Sequence, residues 1–191
     1  MKMIDVSDKD RTSRTAVARA ELRCSREALK LLNEGRLEKG DALAAARLAG
    51  VMAAKHTPAL LPLCHPIAIH GCDVDVACDE PAGLVRIEAR VHAVERTGVE
   101  MEAMTAACAA ALTVYDMMKR HDKTMELVSL RLIHKSGGRT GEWNRAGEEH
   151  GFATGGPGLR TAAPDITPRP GVRPLNNPDL TPPRGTKRPA K

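Results

Sequence analysis

Aromatic side chains are almost missing from this chain. Its 191 residues include one tyrosine, one tryptophan and one phenylalanine: Tyr115, Trp143 and Phe152. A core must therefore come from Ala, Val, Leu, Ile and Met, and a hydrophobic content of 42% is enough to supply one. The scarcity also counts against modules that stack nucleic-acid bases on aromatics set in a sheet. No apolar run approaches the roughly 20 residues of a membrane helix, so no membrane partner is expected. The opening MKMIDVSDKDR lacks the apolar region of a signal peptide. A soluble, cytoplasmic protein is the expectation.

Paired cysteines are lacking too. Cys24, Cys64, Cys72, Cys78 and Cys108 are odd in number and scattered, with no C-x-x-C pair. This speaks against a disulfide framework and against a structural zinc site. An excess of one charge is missing from the body of the chain. The formal net charge is +5, but residues 150–191 hold seven Lys and Arg against two Asp, which accounts for all of it. Residues 1–149 are balanced at 22 basic and 22 acidic side chains. The basic balance is a property of the tail, so it does not argue for a nucleic-acid groove on a folded domain.

That tail carries nine of the thirteen prolines and no apolar periodicity. It cannot bury enough surface to offset its ordering entropy. Residues 150–191 read as a disordered basic Pro/Gly-rich extension, after a folded domain at 1–149. Such an extension is either a solvated appendage or an arm for a polyanion or partner.

In the body, RTAVARAELRC places Ala16, Ala18, Ala20, Leu22 and Cys24 on alternate positions, which predicts a strand with one buried face. Ser25 suits an N-cap for a helix in REALKLLNE, and Gly35 suits its left-handed end. Asp41 can cap a second helix, ALAAARLAGVMAAKH, which Pro58 and Pro62 stop. IAIHGCDVDVAC and LVRIEARVHAV alternate around the short link DEPAG, so they should pair antiparallel. The longest helix lies in GVEMEAMTAACAAALTVYDMMKRHDK, and its alanines predict close packing against a helix or a subunit. ELVSLRLIHK is a last strand, and SGGRTGEW closes the domain. The order strand, helix, helix, strand, strand, helix, strand fits an α+β fold: a ferredoxin-like, four-stranded antiparallel sheet with helices on one face. That fold by itself names no function.

Four groups of residues could carry chemistry. Lys39, in EGRLEKGD between two helices, is either solvated or a phosphate-binding point charge. Glu100 and Glu102, in RTGVEMEAMT, either serve the helix dipole or, in an extended stretch, face one cleft together. Gly98 beside them would let a ligand approach the backbone. Asp116 and Lys119 are three apart on the long helix, and so are either a surface ion pair or a coupled proton-transfer pair. In LLPLCHP, Pro62 and Pro66 brace Cys64 and His65. A metal corner there would need a second ligand cluster, and the other histidines offer none with ligand spacing. Neighbours on an extended segment point apart, so Cys64 and His65 should not share a proton. No metal is expected.

Glu102 and Asp116 are fourteen positions apart on one helix, about 21 Å at 1.5 Å per residue. One small site in one chain could hardly hold both. Either they act in different places or the site forms where subunits meet, and the second option predicts an obligate oligomer.

Taken together, MIDVSDK, KGDALAAARLAGVMAAK, LLPLCHP, TGVEMEAMTAACAAALTVYDMMK and KSGGRTGEW resemble the cyclic pyranopterin monophosphate synthase family of molybdenum cofactor biosynthesis over about residues 3–145. The resemblance implies a lyase that takes a 3′,8-cyclised dihydro-GTP, rebuilds its rings into a pyranopterin and closes a cyclic phosphate as diphosphate leaves. It implies no redox cofactor, catalytic roles for Asp116, Lys119 and Lys39, and substrate contacts from Leu63, Cys64, His65, Met101, Glu102 and Glu100. It also implies a homohexamer, a trimer of dimers with sites between subunits. Two other readings stay open at this point. One is a ferredoxin-like RNA-binding module with a basic arm. The other is a metal-dependent hydrolase using His65, Glu100, Glu102 and Asp116.

Overall fold

The structure, a computed structural model, describes residues 1–148. The expected disordered tail at 150–191 lies outside the described residues. Strand β1 spans Thr12–Arg23. Helix α1 (Arg26–Asn33) follows, with the Ser25 side chain accepting from the Ala28 amide. It ends at Gly35, whose φ of 65° is open to a residue without a Cβ. Asp41 caps α2 (Ala42–Lys55) by accepting from the Ala44 amide. The chain turns at His56, before Pro58, and a short helix α3 (Thr57–Leu60) takes that proline into its first turn.

Strands β2 (Gly71–Asp79) and β3 (Leu84–Glu95) pair antiparallel, as the DEPAG link predicts. Residues 67–70 remain outside β2. Helix α4 (Glu100–Met118) leads to β4 (Glu126–Ser136), and SGGRTGEW returns as a two-residue strand β5 (Trp143–Asn144) on the β4 edge. The sheet order is β2-β3-β1-β4-β5, antiparallel throughout. Its first four strands have the ferredoxin-like order, made of two interleaved strand–helix–strand units.

Small residues set the helix layer close to the sheet and to itself. Helix α4 packs on α2 and on the sheet, with Ala103, Ala106, Ala107, Ala110 and Ala111 buried, and Ala46, Gly50 and Ala54 of α2 are buried in turn. A Cβ at Gly50 would stand 3.0 Å from the Ala106 carbonyl oxygen and 3.0 Å from Val74 Cγ2. The packing expected of the alanine-rich middle is thus met within the chain by α2. The single buried face expected for β1 needs correction. Val17 is fully buried on the opposite face, and beside it Arg19 bonds the Glu88 carboxylate at 2.7 Å. Glu148 pairs with Arg19 and with Arg131 on the same side. As a central strand, β1 has its second face covered by ion pairs that satisfy the charges they bury.

Candidate active site

The sequence-derived candidates gather at the two ends of α4. At its N-terminal end, Leu63, Cys64, His65, Glu100, Met101 and Glu102 all line one cavity of about 470 Å³. Three segments build it: the turn after α3, the first turn of α4, and the N-terminal stretch that contributes Lys2, Ile4, Val6 and Lys9.

LLPLCHP is not extended. The Cys64 amide bonds the Leu61 carbonyl oxygen at 3.0 Å, closing a turn over Pro62 and Leu63. Alternation therefore does not govern the pair, and Cys64 and His65 face the same cavity. Burial, and then the Glu102 carboxylate, push the Cys64 thiol above its ordinary range. That direction lowers the fraction present as thiolate, the nucleophilic form.

Of the two arrangements open to Glu100 and Glu102, the structure has the one at a helix N-terminus. Both lie within the first turn of α4, not in an extended stretch. Glu102 is only 2% exposed, and burial, with the Glu100 charge adding to it, raises its carboxyl to about 7. Glu100 folds back over Gly98, where a Cβ would lie 1.9 Å from its Oε2. The space freed by Gly98 is filled by this carboxylate, which also bonds Lys135 Nζ at 3.2 Å.

A second cavity of about 770 Å³ shares Lys9, Thr97, Gly98 and Glu100 with the first. Its wall adds Arg14, Arg96, Lys135 and Arg139, against Asp8 and Asp10. Composition alone does not single out these cations, since the body is charge-balanced. The available signal is positional. Lys135 and Arg139 flank a double glycine, and Arg14 stands in the half-buried start of a central strand.

The other end of α4 holds the remaining candidates. Lys119 Nζ lies 2.6 Å from Asp116 Oδ1, and Lys39 Nζ lies 2.6 Å from Oδ2. These two hydrogen bonds, Lys119 first, pull the Asp116 carboxyl down to about 2, and Asp116 raises Lys119 in return. Burial is not the cause, because the Asp116 and Lys119 side chains are each 53% exposed. Arg120 and Glu38 pair next to this triad, joining the Lys39 loop to the end of α4 a second time. The two clusters stay apart, one at each end of the helix. Among the described residues, no three His, Cys, Asp or Glu side chains are gathered as metal ligands, and no helix is long and apolar enough to cross a membrane.

The sequence model of the MoaC family matches residues 3–138, a span that contains every candidate residue. The chain belongs to the MoaC family. A member from Thermomicrobium roseum, named cyclic pyranopterin monophosphate synthase, is 52% identical over 148 residues, covering 78% of this chain and 89% of its own. Proteins of the same name from Pelobacter propionicus and Roseiflexus castenholzii are 53% and 54% identical, each over 89% of its length and 75% and 74% of this chain. By family the chain is an enzyme, a lyase of molybdenum cofactor biosynthesis. The family span ends at Gly138, two residues after β4, the strand that carries Lys135.

Proposed function

We propose that this chain is a cyclic pyranopterin monophosphate synthase. Its substrate is a 3′,8-cyclised dihydro-GTP, and its products are cyclic pyranopterin monophosphate and diphosphate. One observation carries the reading. The cavity lined by Leu63, Cys64, His65, Met101 and Glu102 shares a wall with a cavity rich in Lys and Arg. A fused ring system with a triphosphate needs a partly apolar chamber beside a cationic one.

The geometry supports the following roles. Arg14, Arg96 and Lys135 hold the phosphates and take up the charge that develops as a sugar oxygen attacks the α-phosphorus and the bond to diphosphate breaks. Glu102, with a carboxyl near 7, exchanges protons with the ring nitrogens at working pH, and His65 orients the rings beside it. Asp116 is held too acidic to donate a proton at neutral pH. It fixes two ammonium groups instead, and Lys39 or Lys119 donates the proton as the rings open.

The two clusters are about 21 Å apart along α4, so the triad must come from a neighbouring copy. The helix layer has the surface for such a copy. Leu48 and Met52 on α2 are 63% and 52% exposed, and Leu112 on α4 is 56% exposed. The assembly is a homohexamer, a trimer of dimers, working in the cytoplasm without a redox cofactor. Residues 1–149 form the catalytic domain, and the basic tail is an appendage to it.

Incubating the protein with the cyclised GTP intermediate tests the reading. Release of diphosphate, with appearance of the pyranopterin, is the expected result. Unchanged substrate from a folded, assembled protein would overturn it.

A further inference from the structure

The double glycine in KSGGRTG has no part in the roles above, yet it touches one of them. Gly137 and Gly138 follow β4 with φ of 93° and 72°. A Cβ at Gly138 would stand 1.6 Å from Arg14 Nη1 and 2.5 Å from Arg14 Cζ. The Arg14 guanidinium therefore rests against a bare Cα. From elsewhere, Nε donates to the Glu95 carbonyl at 3.2 Å and Nη2 to the Arg96 carbonyl at 3.4 Å. Gly137 closes on the same strand, where a Cβ would lie 2.0 Å from the Ser13 carbonyl oxygen, one residue before Arg14.

Gly141 separates conformational need from close approach. Its φ of 66° is nearly that of Gly138, but a Cβ there would meet nothing within 4 Å. Gly141 needs only backbone freedom. Gly138 needs that freedom and the empty space as well.

We propose that Gly138 is a positioning residue: its missing side chain leaves the slot that fixes the Arg14 guanidinium in the cationic cavity. This rests on the reading of that cavity as the polyphosphate subsite. A guanidinium binds phosphate through a planar fork of N–H donors, so its orientation matters as much as its charge. A side chain at 138 occupies the slot and turns the fork away.

Four variants of the full chain test this: Arg14→Ala, Gly138→Asn, the double variant and Gly141→Asn. Asparagine is chosen because it accepts positive φ more readily than other side chains. The readouts are KM and kcat for the cyclised GTP intermediate, calorimetric binding of inorganic triphosphate, and thermal melting. Arg14→Ala is expected to raise KM and weaken triphosphate binding roughly tenfold to a hundredfold. Gly138→Asn should do the same. The double variant should be no worse than Arg14→Ala, and Gly141→Asn should match the wild type. Multiplying effects in the double variant, or a Gly138→Asn protein with wild-type KM, would overturn the positioning role alone. An Arg14→Ala protein with wild-type KM would overturn the polyphosphate reading and, with it, this inference. If Gly138→Asn does not fold, the double variant decides. Recovery of folded protein on removing Arg14 supports the slot, and failure to recover overturns it.

Discussion

Lys39 Nζ lies 2.6 Å from Asp116 Oδ2 and 2.9 Å from the main-chain oxygen of the same residue. A loop lysine thus reads both the side chain and the backbone at the end of α4. With Lys119 on the other carboxylate oxygen, Asp116 is ionised through the whole neutral range, its carboxyl held at about 2. Asp116→Asn keeps the shape and removes the charge that holds two ammonium groups. The expected result is a kcat lower by roughly a hundredfold or more, with KM and melting temperature little changed. Steady-state kinetics of the assembled variant check it, and a retained kcat would remove the triad from the mechanism.

Glu102 makes stability depend on pH in a direction that can be worked out. Its carboxyl is raised from 4.5 to about 7, so the folded protein binds this proton more tightly than the unfolded chain does. The contribution is fully present below about 4.5 and is lost as pH rises through about 7. At 1.36 kcal/mol per unit, the whole effect is on the order of 3 kcal/mol. Glu102→Gln is neutral at every pH and lacks this loss. Denaturant unfolding should therefore show the variant gaining on the wild type between pH 5 and pH 8, while its activity falls. Parallel stability curves would contradict the buried, proton-binding carboxyl.

These two residues also show how far the sequence could be read. The alternation in β1, the caps Ser25 and Asp41 and the length of α4 are local signals, and each gave its element. Leu63 to His65 and Glu100 to Glu102 were legible as short motifs, and the structure gathers them in one cavity. Lys2, Lys9, Arg14, Arg96 and Lys135 were not. Lys2 and Lys9 come from the N-terminal stretch, and Arg14, Arg96 and Lys135 come from β1, the residue after β3 and the end of β4, which are neighbours through the antiparallel pairing. The covered second face of β1 escaped for a similar reason. Arg19 reads as a solvent residue until Glu88 from β3 and Glu148 meet it.

Gly50 offers a test of the helix layer. A Cβ there would press at 3.0 Å on both the Ala106 carbonyl oxygen and Val74 Cγ2. Gly50→Val must push α2 away from α4 and β2 together. A loss of about 1–3 kcal/mol in unfolding free energy is expected. Equilibrium denaturation measures it, and an unchanged midpoint would mean that the contact is slack.

Lys135 connects the two cavities through its bond to Glu100, with both side chains 30% exposed. Lys135→Ala removes one cation from the wall proposed to bind the phosphates and releases a carboxylate beside it. KM should rise roughly tenfold, as expected for a charge-assisted hydrogen bond. The dependence of KM on salt should flatten, because one screened attraction is gone. A KM series from low to physiological ionic strength checks both effects. A wild-type salt dependence in the variant would place the phosphates elsewhere.

The separation of the clusters along α4 gives the last prediction. If each site takes His65 and Glu102 from one copy and Asp116 from another, Asp116→Asn and Glu102→Gln damage different halves of the same site. Each homo-oligomer is then nearly inactive. Mixed oligomers, formed by co-expression or by unfolding and refolding the two variants together, contain some sites with both halves intact. For a random two-chain site, about a quarter of the sites would be whole, while others would carry both lesions. Co-expressed protein carrying two different tags, purified through both, should therefore recover a substantial fraction of wild-type diphosphate release. Two inactive variants that stay inactive in verified mixed oligomers would show that the two ends of α4 act in different places rather than in one shared site.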